Sequence, residues 1–285
     1  LLGWAIWRAR GLGYLLNQQS KFHSFGEFWP LFIISLTGMI GFWATLSLNM
    51  PDFTRFGKSQ RDQAVGQVVA LPTTMTVFAA MGVMITSAAV VIYPHMKPEE
   101  LWDPMKLVGQ FQSVVVIAIS MFTVVVATLA VNIAANVVSP ANDFANAFPK
   151  WISFRTGGLI TGIVGILMQP WRLLADPSGY IFAWLVGYSG GLGAIAGVLI
   201  VDYWLVRQKR LVLGDLYRKQ GVYTYSGGWN WRAIIATLIG CGLAWIGLVI
   251  PALAPLYAYA WFVGFGSAGI THYLLMKTMP PKASE

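Results

Sequence analysis

The chain has 285 residues, of which 56% are hydrophobic and only 11% charged, and its mean hydropathy is +0.62. No soluble core needs that balance, so a water-soluble globular protein is excluded and an all-α membrane protein is expected. The single cysteine, Cys241, excludes an internal disulfide framework, and the net charge of +8, a nucleic-acid signal in a soluble protein, reads here as a topology signal.

In chain order an apolar stub over 1–16 comes first. It is apolar before it is basic and has no initiator methionine, so no signal peptide is expected and the sequence reads as beginning partway through a longer one. Seven stretches near the ~20 residues that a bilayer core demands follow, at about 30–48, 67–93, 109–138, 157–174, 180–206, 232–250 and 255–275. Turn and charge clusters such as PDFTRFGKSQRDQ and VRQKRLVLGDLYRKQ separate them, with no soluble domain between. Alternating the loops across the bilayer puts thirteen cations on one face, among them Arg55, Lys58, Arg61, Arg207, Lys209, Arg210 and Lys282, and six on the other. The positive-inside rule makes the first face cytoplasmic, and with it the carboxyl terminus.

The third stretch and the segment after it carry four asparagines, in AVNIAANVVSPANDFANAFP. An amide in hydrocarbon needs partners for two donors and an acceptor, so Asn132 and Asn136 face other protein, water or a cargo. Spaced four apart, they share one helical face. The plainer alternative is interhelical hydrogen bonding. Thirteen tryptophans are mostly belt or packing residues, Trp4, Trp7, Trp29, Trp171 and Trp261 among them, whereas Trp43 sits mid-span beside Gly41, Thr45, Ser47 and Asn49. In the fifth stretch Gly187, Gly190, Gly191, Gly193 and Gly197 either let helices approach closely or form a hinge. No strand precedes them, which excludes a dinucleotide loop. Pro72, Pro140 and Pro170 break or end helices.

Asp52, with Arg55 three residues on, reads either as an exposed ion pair or helix cap, or as a gate or proton site. Asp202 reads as the counter-charge of the basic cluster that follows it. His23, His95 and His272 are placed in loops or at a span end without ligand spacing, so no metal site and no cofactor is expected. The spans supply no nucleophile with its base and no carboxylate pair, which argues against an enzyme.

Two strings, GMIGFWATLSLNMPDFTRFGKSQ and ATLAVNIAANVVSPANDF, closely resemble the nucleobase:cation symporter-1 family, importers of nucleobases, hydantoins, allantoin and related vitamins. The likeness continues through FPKWISFRTGGLITGIVGILMQPWRLL and GLGAIAGVLIVDYWLVRQKRLVLGDLYRKQGVYTYSGGWNW. It implies a LeuT-type inverted-repeat transporter fold, present in part as the second repeat plus two extra helices. One transmembrane domain then covers 1–285, with 1–16 the end of the fifth helix, about 30–206 the sixth to tenth, and 232–275 the eleventh and twelfth. The resemblance implies that Trp43 stacks on a planar heterocycle, with Phe42 narrowing the pocket or adding a ring, and that Asn136, aided by Asn132, bonds the cargo's amide edge. It implies a bending tenth helix, with Gly187, Gly190 and Gly191 as gating candidates. Sodium-coupled relatives place two hydroxyls where this chain has Ala130 and Val131, leaving the carbonyl of Ala127 and a Thr128 hydroxyl on the wrong face of the turn. Proton coupling is therefore expected over sodium. The implied function is secondary active import, coupled to a cation, of allantoin, hydantoin or a purine or pyrimidine nucleobase across the inner or plasma membrane. The competing reading is a structural or accessory membrane subunit, which needs no Trp43 and Asn136 at pocket depth.

Overall fold

A computed structural model describes residues 2–17, 19–97 and 100–278; Lys282 and the first residue of the stub lie outside them. Among the described residues every regular element is helical apart from one isolated bridge, Ser226 to Trp229. In chain order these are α1 (Leu2–Arg8), α2 (Leu12–Leu16), α3 (Phe25–Leu48), α4 (Pro51–Thr54), α5 (Gln60–Ile92), α6 (Pro104–Val108), α7 (Val114–Asn136), α8 (Val138–Ala147), α9 (Phe154–Leu167), α10 (Pro170–Ala175) and α11 (Pro177–Gly179). A π-helical segment, Tyr180–Leu185, leads into α12 (Val186–Val201), and a second, Asp202–Val206, ends it. After a short 3₁₀ turn come α13 (Trp231–Val249), α14 (Ala254–Tyr257) and α15 (Ala260–Thr278).

The long helices start where short polar side chains satisfy orphan amides. Ser24 Oγ accepts from Glu27 N at 3.3 Å to open α3, Ser59 Oγ accepts from Asp62 N at 3.1 Å to open α5, and Asn230 Oδ1 accepts from Ala233 N at 3.3 Å to open α13. The third expected span begins later than 109 for the same reason: Ser113 caps α7 at Val116 N.

Five helical stretches among the described residues are long and apolar enough to cross a membrane, and a sixth if Pro251–Tyr257 and Ala260–Thr278, bent by 90°, count as one span. Seven were expected. The stretch 157–174 falls short because α9 stops at Leu167 after 14 residues, Gln169 adopts φ 51, and Pro170 opens a separate helix. Proline disfavours the α conformation in the residue before it, and its ring cannot extend a preceding turn.

The chain divides into two compact units. The first, 1–21 with 51–164, packs α1 and α2 on α5 through Ala5, Ala9, Leu15 and Ala88, and sets α9 against α8 where a Cβ on Gly157 would stand 2.8 Å from the Ala141 carbonyl oxygen. No residue of α7 is buried, and Val114, Ile119 and Phe122 are more than 60% exposed. Water does not tolerate such a face, and lipid or other protein does.

The second unit, 22–50 with 165–285, is built around α12, which lies against α3, α13 and α15. Its core is made of small residues: Ala194, Ala236, Ala244, Ala260 and Ala268 are fully buried. A Cβ on Gly193 would lie 2.5 Å from the Trp261 carbonyl oxygen, so α12 and α15 touch backbone to backbone. Gly41 brings α3 equally close to the π segment, where a Cβ would sit 2.6 Å from the Leu185 carbonyl oxygen.

Candidate functional site

In the first unit the candidates converge on the last turns of α7. Residues spaced by four repeat on one helical face, so Thr128, Asn132 and Asn136 line up, with Ala127 and Val131 beside them. Together these five line an open groove of about 380 Å³. Asn136 Nδ2 donates to Asn132 Oδ1 at 3.0 Å. That bond leaves the Asn136 carbonyl, one Asn136 N–H and both Asn132 N–H groups free to face a partner, an alternating donor and acceptor set suited to an amide or imide edge. Thr128, assigned to the wrong face of the turn at the sequence level, lies in this groove, because its spacing to Asn132 is itself four residues. Ala130 does not line it. A larger, almost wholly apolar cavity of about 500 Å³ near Trp4, Ile85 and Phe111 contains no candidate residue.

Just beyond the groove the helix breaks at Val137, φ −111 and ψ −39, and resumes as α8. Pro140 falls in the first turn of α8, where no intrahelical N–H bond is lost. On α8, Asn142 Nδ2 donates to Asp52 Oδ1 at 3.2 Å, while Arg55 pairs with the same carboxylate at 3.6 Å. Asp52 forms the pair with Arg55 that is the plainer of its two sequence readings, although its own side chain is only 17% exposed, and through Asn142 it also ties α4 to α8.

In the second unit Trp43 and Phe42 lie near the end of α3, 40% and 51% exposed, with their rings edge-on at 5.5 Å. Two residues after Trp43, Thr45 Oγ1 shares a 3.0 Å hydrogen bond with the Tyr188 hydroxyl. Tyr188 ends a ladder of stacked rings, 5.1 Å from Trp184, which is 5.6 Å from Tyr180. Sequence reading passed over this ladder, although the spacing of four was visible, because aromatic residues are abundant throughout the chain.

The gating candidates face packed neighbours. A Cβ on Gly187 would stand 2.7 Å from the Tyr257 hydroxyl, one on Gly190 2.9 Å from Ala244 Cβ, and one on Gly191 3.3 Å from the Trp245 ring. The wide π turn alters the local ladder, and side chains serve carbonyls there and just beyond it: Tyr257 Oη donates to the Ala183 oxygen of the π segment at 2.8 Å and Trp245 Nε1 to the Gly187 oxygen in the first turn of α12 at 2.7 Å.

One polar cluster departs from the sequence reading. His272, placed there at a span end, lies inside α15, is fully buried, and has its Nε2 3.1 Å from Asp202 Oδ1. Arg207 donates through Nε to the other carboxylate oxygen and through a terminal nitrogen to the Tyr225 hydroxyl. Burial is the largest single influence on Arg207 and disfavours its charge, but the hydrogen bond and charge of Asp202, with Tyr225 and Tyr223, together outweigh it and hold the guanidinium above its ordinary pKa, while burial pushes the Tyr225 phenol up. Both groups keep their protons at neutral pH.

A family model described as a permease for cytosine/purines, uracil, thiamine and allantoin matches residues 1–264. The allantoin permease of Bacillus subtilis is 42% identical over 99% of this chain and 56% of its own length, and the purine-uracil permease of Arabidopsis thaliana is 40% identical over 100% of this chain and 48% of its own. The chain thus spans about half the length of these relatives. The solved structure of Mhp1, a nucleobase-cation-symport-1 family transporter in a closed conformation with bromovinylhydantoin bound, superposes with a TM-score of 0.71 at 25% identity, covering 98% of this chain and 60% of that one. The fold class is accordingly a partial LeuT-type inverted-repeat transporter fold, all-α and membrane-embedded. The chain belongs to the permease family for cytosine and purines, uracil, thiamine and allantoin, the nucleobase:cation symporter-1 transporters.

Proposed function

We propose that this chain forms part of a secondary active symporter that imports a small planar nitrogen heterocycle: allantoin, a hydantoin, or a purine or pyrimidine base. The observation that carries this reading is the Asn132 and Asn136 amide pair facing the groove on α7, in a family whose relatives include permeases for allantoin and for purines with uracil. Asn136 bonds the cargo's amide edge with Asn132 beside it, and Trp43 supplies the stacking face, with Phe42 as the neighbouring ring. In this reading 1–16 is the end of the fifth helix of the complete fold, the segments from α3 to the end of the second π segment are the sixth to tenth, and α13 and α15 are the eleventh and twelfth. The face rich in cations, and the carboxyl terminus with it, lies in the cytoplasm.

The driving ion in this reading is the proton. Sodium stripped of water needs most of its oxygen shell from protein, and Ala130 and Val131 supply no side-chain oxygen. Thr128 in the groove contributes a hydroxyl, which still leaves the shell short. Uptake of labelled allantoin, hydantoin, cytosine and uracil by cells expressing the full-length protein tests the assignment. Saturable, competable uptake of at least one supports it, and uptake of none, with the protein present in the membrane, favours the accessory-subunit reading.

A further inference from the structure

Where α12 and α15 end, the chain forms an open pocket of about 410 Å³ with a mixed lining. Arg207, Arg210, Tyr223 and Tyr225 supply cationic and phenolic groups, and Val206, Val212, Val222 and Met276 supply the apolar wall. The lining is held in place. Arg207 lies over the Tyr223 ring at 4.6 Å, and the Tyr223 hydroxyl accepts from Val212 N at 2.9 Å, which draws the loop after the helix back against it. Gln208 and Lys209 adopt φ 48 and 64 and turn the chain out of the π segment, and Tyr225 sits at φ 46. Non-glycine residues in this region are strained and persist where the surroundings impose them.

The pocket is electrostatically unbalanced. Arg207 pairs with Asp202, Lys209 and Arg210 follow it within three residues, and the loop's other carboxylate, Asp215, is paired with Arg218 at 3.8 Å. Among the described residues Arg210 makes no ion pair, and Arg207 commits to Asp202 and Tyr225 only two of the five N–H donors of a guanidinium. Lys209 lies 4.3 Å over the Trp204 ring, an arrangement suited to a membrane interface. The apolar wall carries the last residue of the stretch Tyr180–Val206 and a residue two before the end of α15, so it stands where hydrocarbon gives way to headgroups.

We infer that this pocket binds the headgroup phosphate of an anionic glycerophospholipid, with Arg207 and Arg210 on the phosphate oxygens, the Tyr225 hydroxyl as a further donor, and the glycerol and first acyl carbons against Val206, Val222 and Met276. Guanidinium forks suit phosphate oxygens, and basic pockets at the ends of spanning helices suit anionic headgroups. A soluble phosphate would use the cations and leave the apolar wall unused.

The test is native mass spectrometry of the detergent-solubilised full-length protein titrated with phosphatidylglycerol or phosphatidylcholine of matched chains. Phosphatidylglycerol is expected to bind in preference, because the cationic pocket repels the quaternary ammonium of phosphatidylcholine, and Arg210→Gln is expected to weaken phosphatidylglycerol binding about tenfold, the loss of one charge-assisted contact. Lys150→Gln, a cation that is not among the pocket's lining residues, is expected to change nothing, and Arg210, being exposed, can be replaced without loss of fold. Equal binding of the two lipids, or phosphatidylglycerol binding unchanged in Arg210→Gln, overturns the assignment. Full displacement of the lipid by millimolar inorganic phosphate or glycerol 3-phosphate also overturns it, in favour of a soluble phosphate ligand. Binding is read without transport, so this result stands or falls separately from the permease reading.

Discussion

Replacing Asn136 by alanine in the full-length protein removes two groups that face the cargo, the free carbonyl and the free N–H, together with the 3.0 Å bond that orients Asn132. Each hydrogen bond contributes a net ~0.5 to 1.5 kcal/mol, so the loss is about 1 to 3 kcal/mol, or roughly 5- to 160-fold in cargo affinity. The side chain is exposed on α7, and surface changes of this kind alter stability by no more than about 0.5 kcal/mol, so the effect falls on binding rather than on folding. The measurement is the KM for labelled allantoin and hydantoin at matched membrane expression, with cargo-induced tryptophan quenching of the purified protein as a direct Kd. Asn132→Ala and the double variant complete the cycle. Because Asn136 holds Asn132 in place, the double loss is expected to be smaller than the sum of the two singles. A KM and Kd for Asn136→Ala within twofold of wild type would refute the amide-edge assignment and return the pair to helix–helix bonding.

Trp43→Ala is expected to weaken cargo binding by the worth of one stacking face, about 1 to 3 kcal/mol, with Trp43→Phe recovering part of it; unchanged tryptophan quenching by cargo in the alanine variant sinks the stacking role. Exchanging sodium for choline at constant pH is expected to leave uptake nearly unchanged while collapse of the proton gradient suppresses it, and strong sodium stimulation of the wild-type protein contradicts the ligand-count argument. Gly193→Ala gains about 1 kcal/mol of helix propensity but drives a Cβ to 2.5 Å from the Trp261 backbone oxygen, which cannot rotate away, so overpacking of about 1 to 3 kcal/mol wins and the unfolding midpoint falls. Gly242→Ala on α13 meets nothing within 4 Å and is expected to hold or raise the midpoint; equal effects at the two positions would remove the packing explanation.

Local features of this chain were legible and non-local ones were not. The shared face of Asn132 and Asn136 follows from a spacing of four within one helix, and their hydrogen bond agrees with it. The same rule, applied to Thr128, puts it in the groove where the sequence reading left it out. The stretch 157–174 shows how averaging misleads: hydropathy summed over a window runs straight across Gln169 and Pro170, although proline at that place was recognised as a breaker. His272 and Asp202 stand 70 residues apart, and no spacing rule reaches that far. A histidine in the last two turns of a helix looks like surface until the neighbour that covers it is known. The glycines of α12 were read as either packing or hinge, and only their partners, Ala244, Trp245 and Tyr257, show what each one touches.

The backbone contact between α12 and α15 has a mechanical side. A joint made of side chains can creep, because rotamers reshuffle one at a time and each intermediate arrangement costs little. At Gly193 there is no side chain to reshuffle, and the helix surfaces mesh as rigid profiles. Such a joint has few intermediate positions, so any tilt of α12 must either carry α15 along as one body or slip past it by a discrete step. The second choice would bury Asp202 and His272 apart from each other, because that pair pins the same two helices at the far end of the joint.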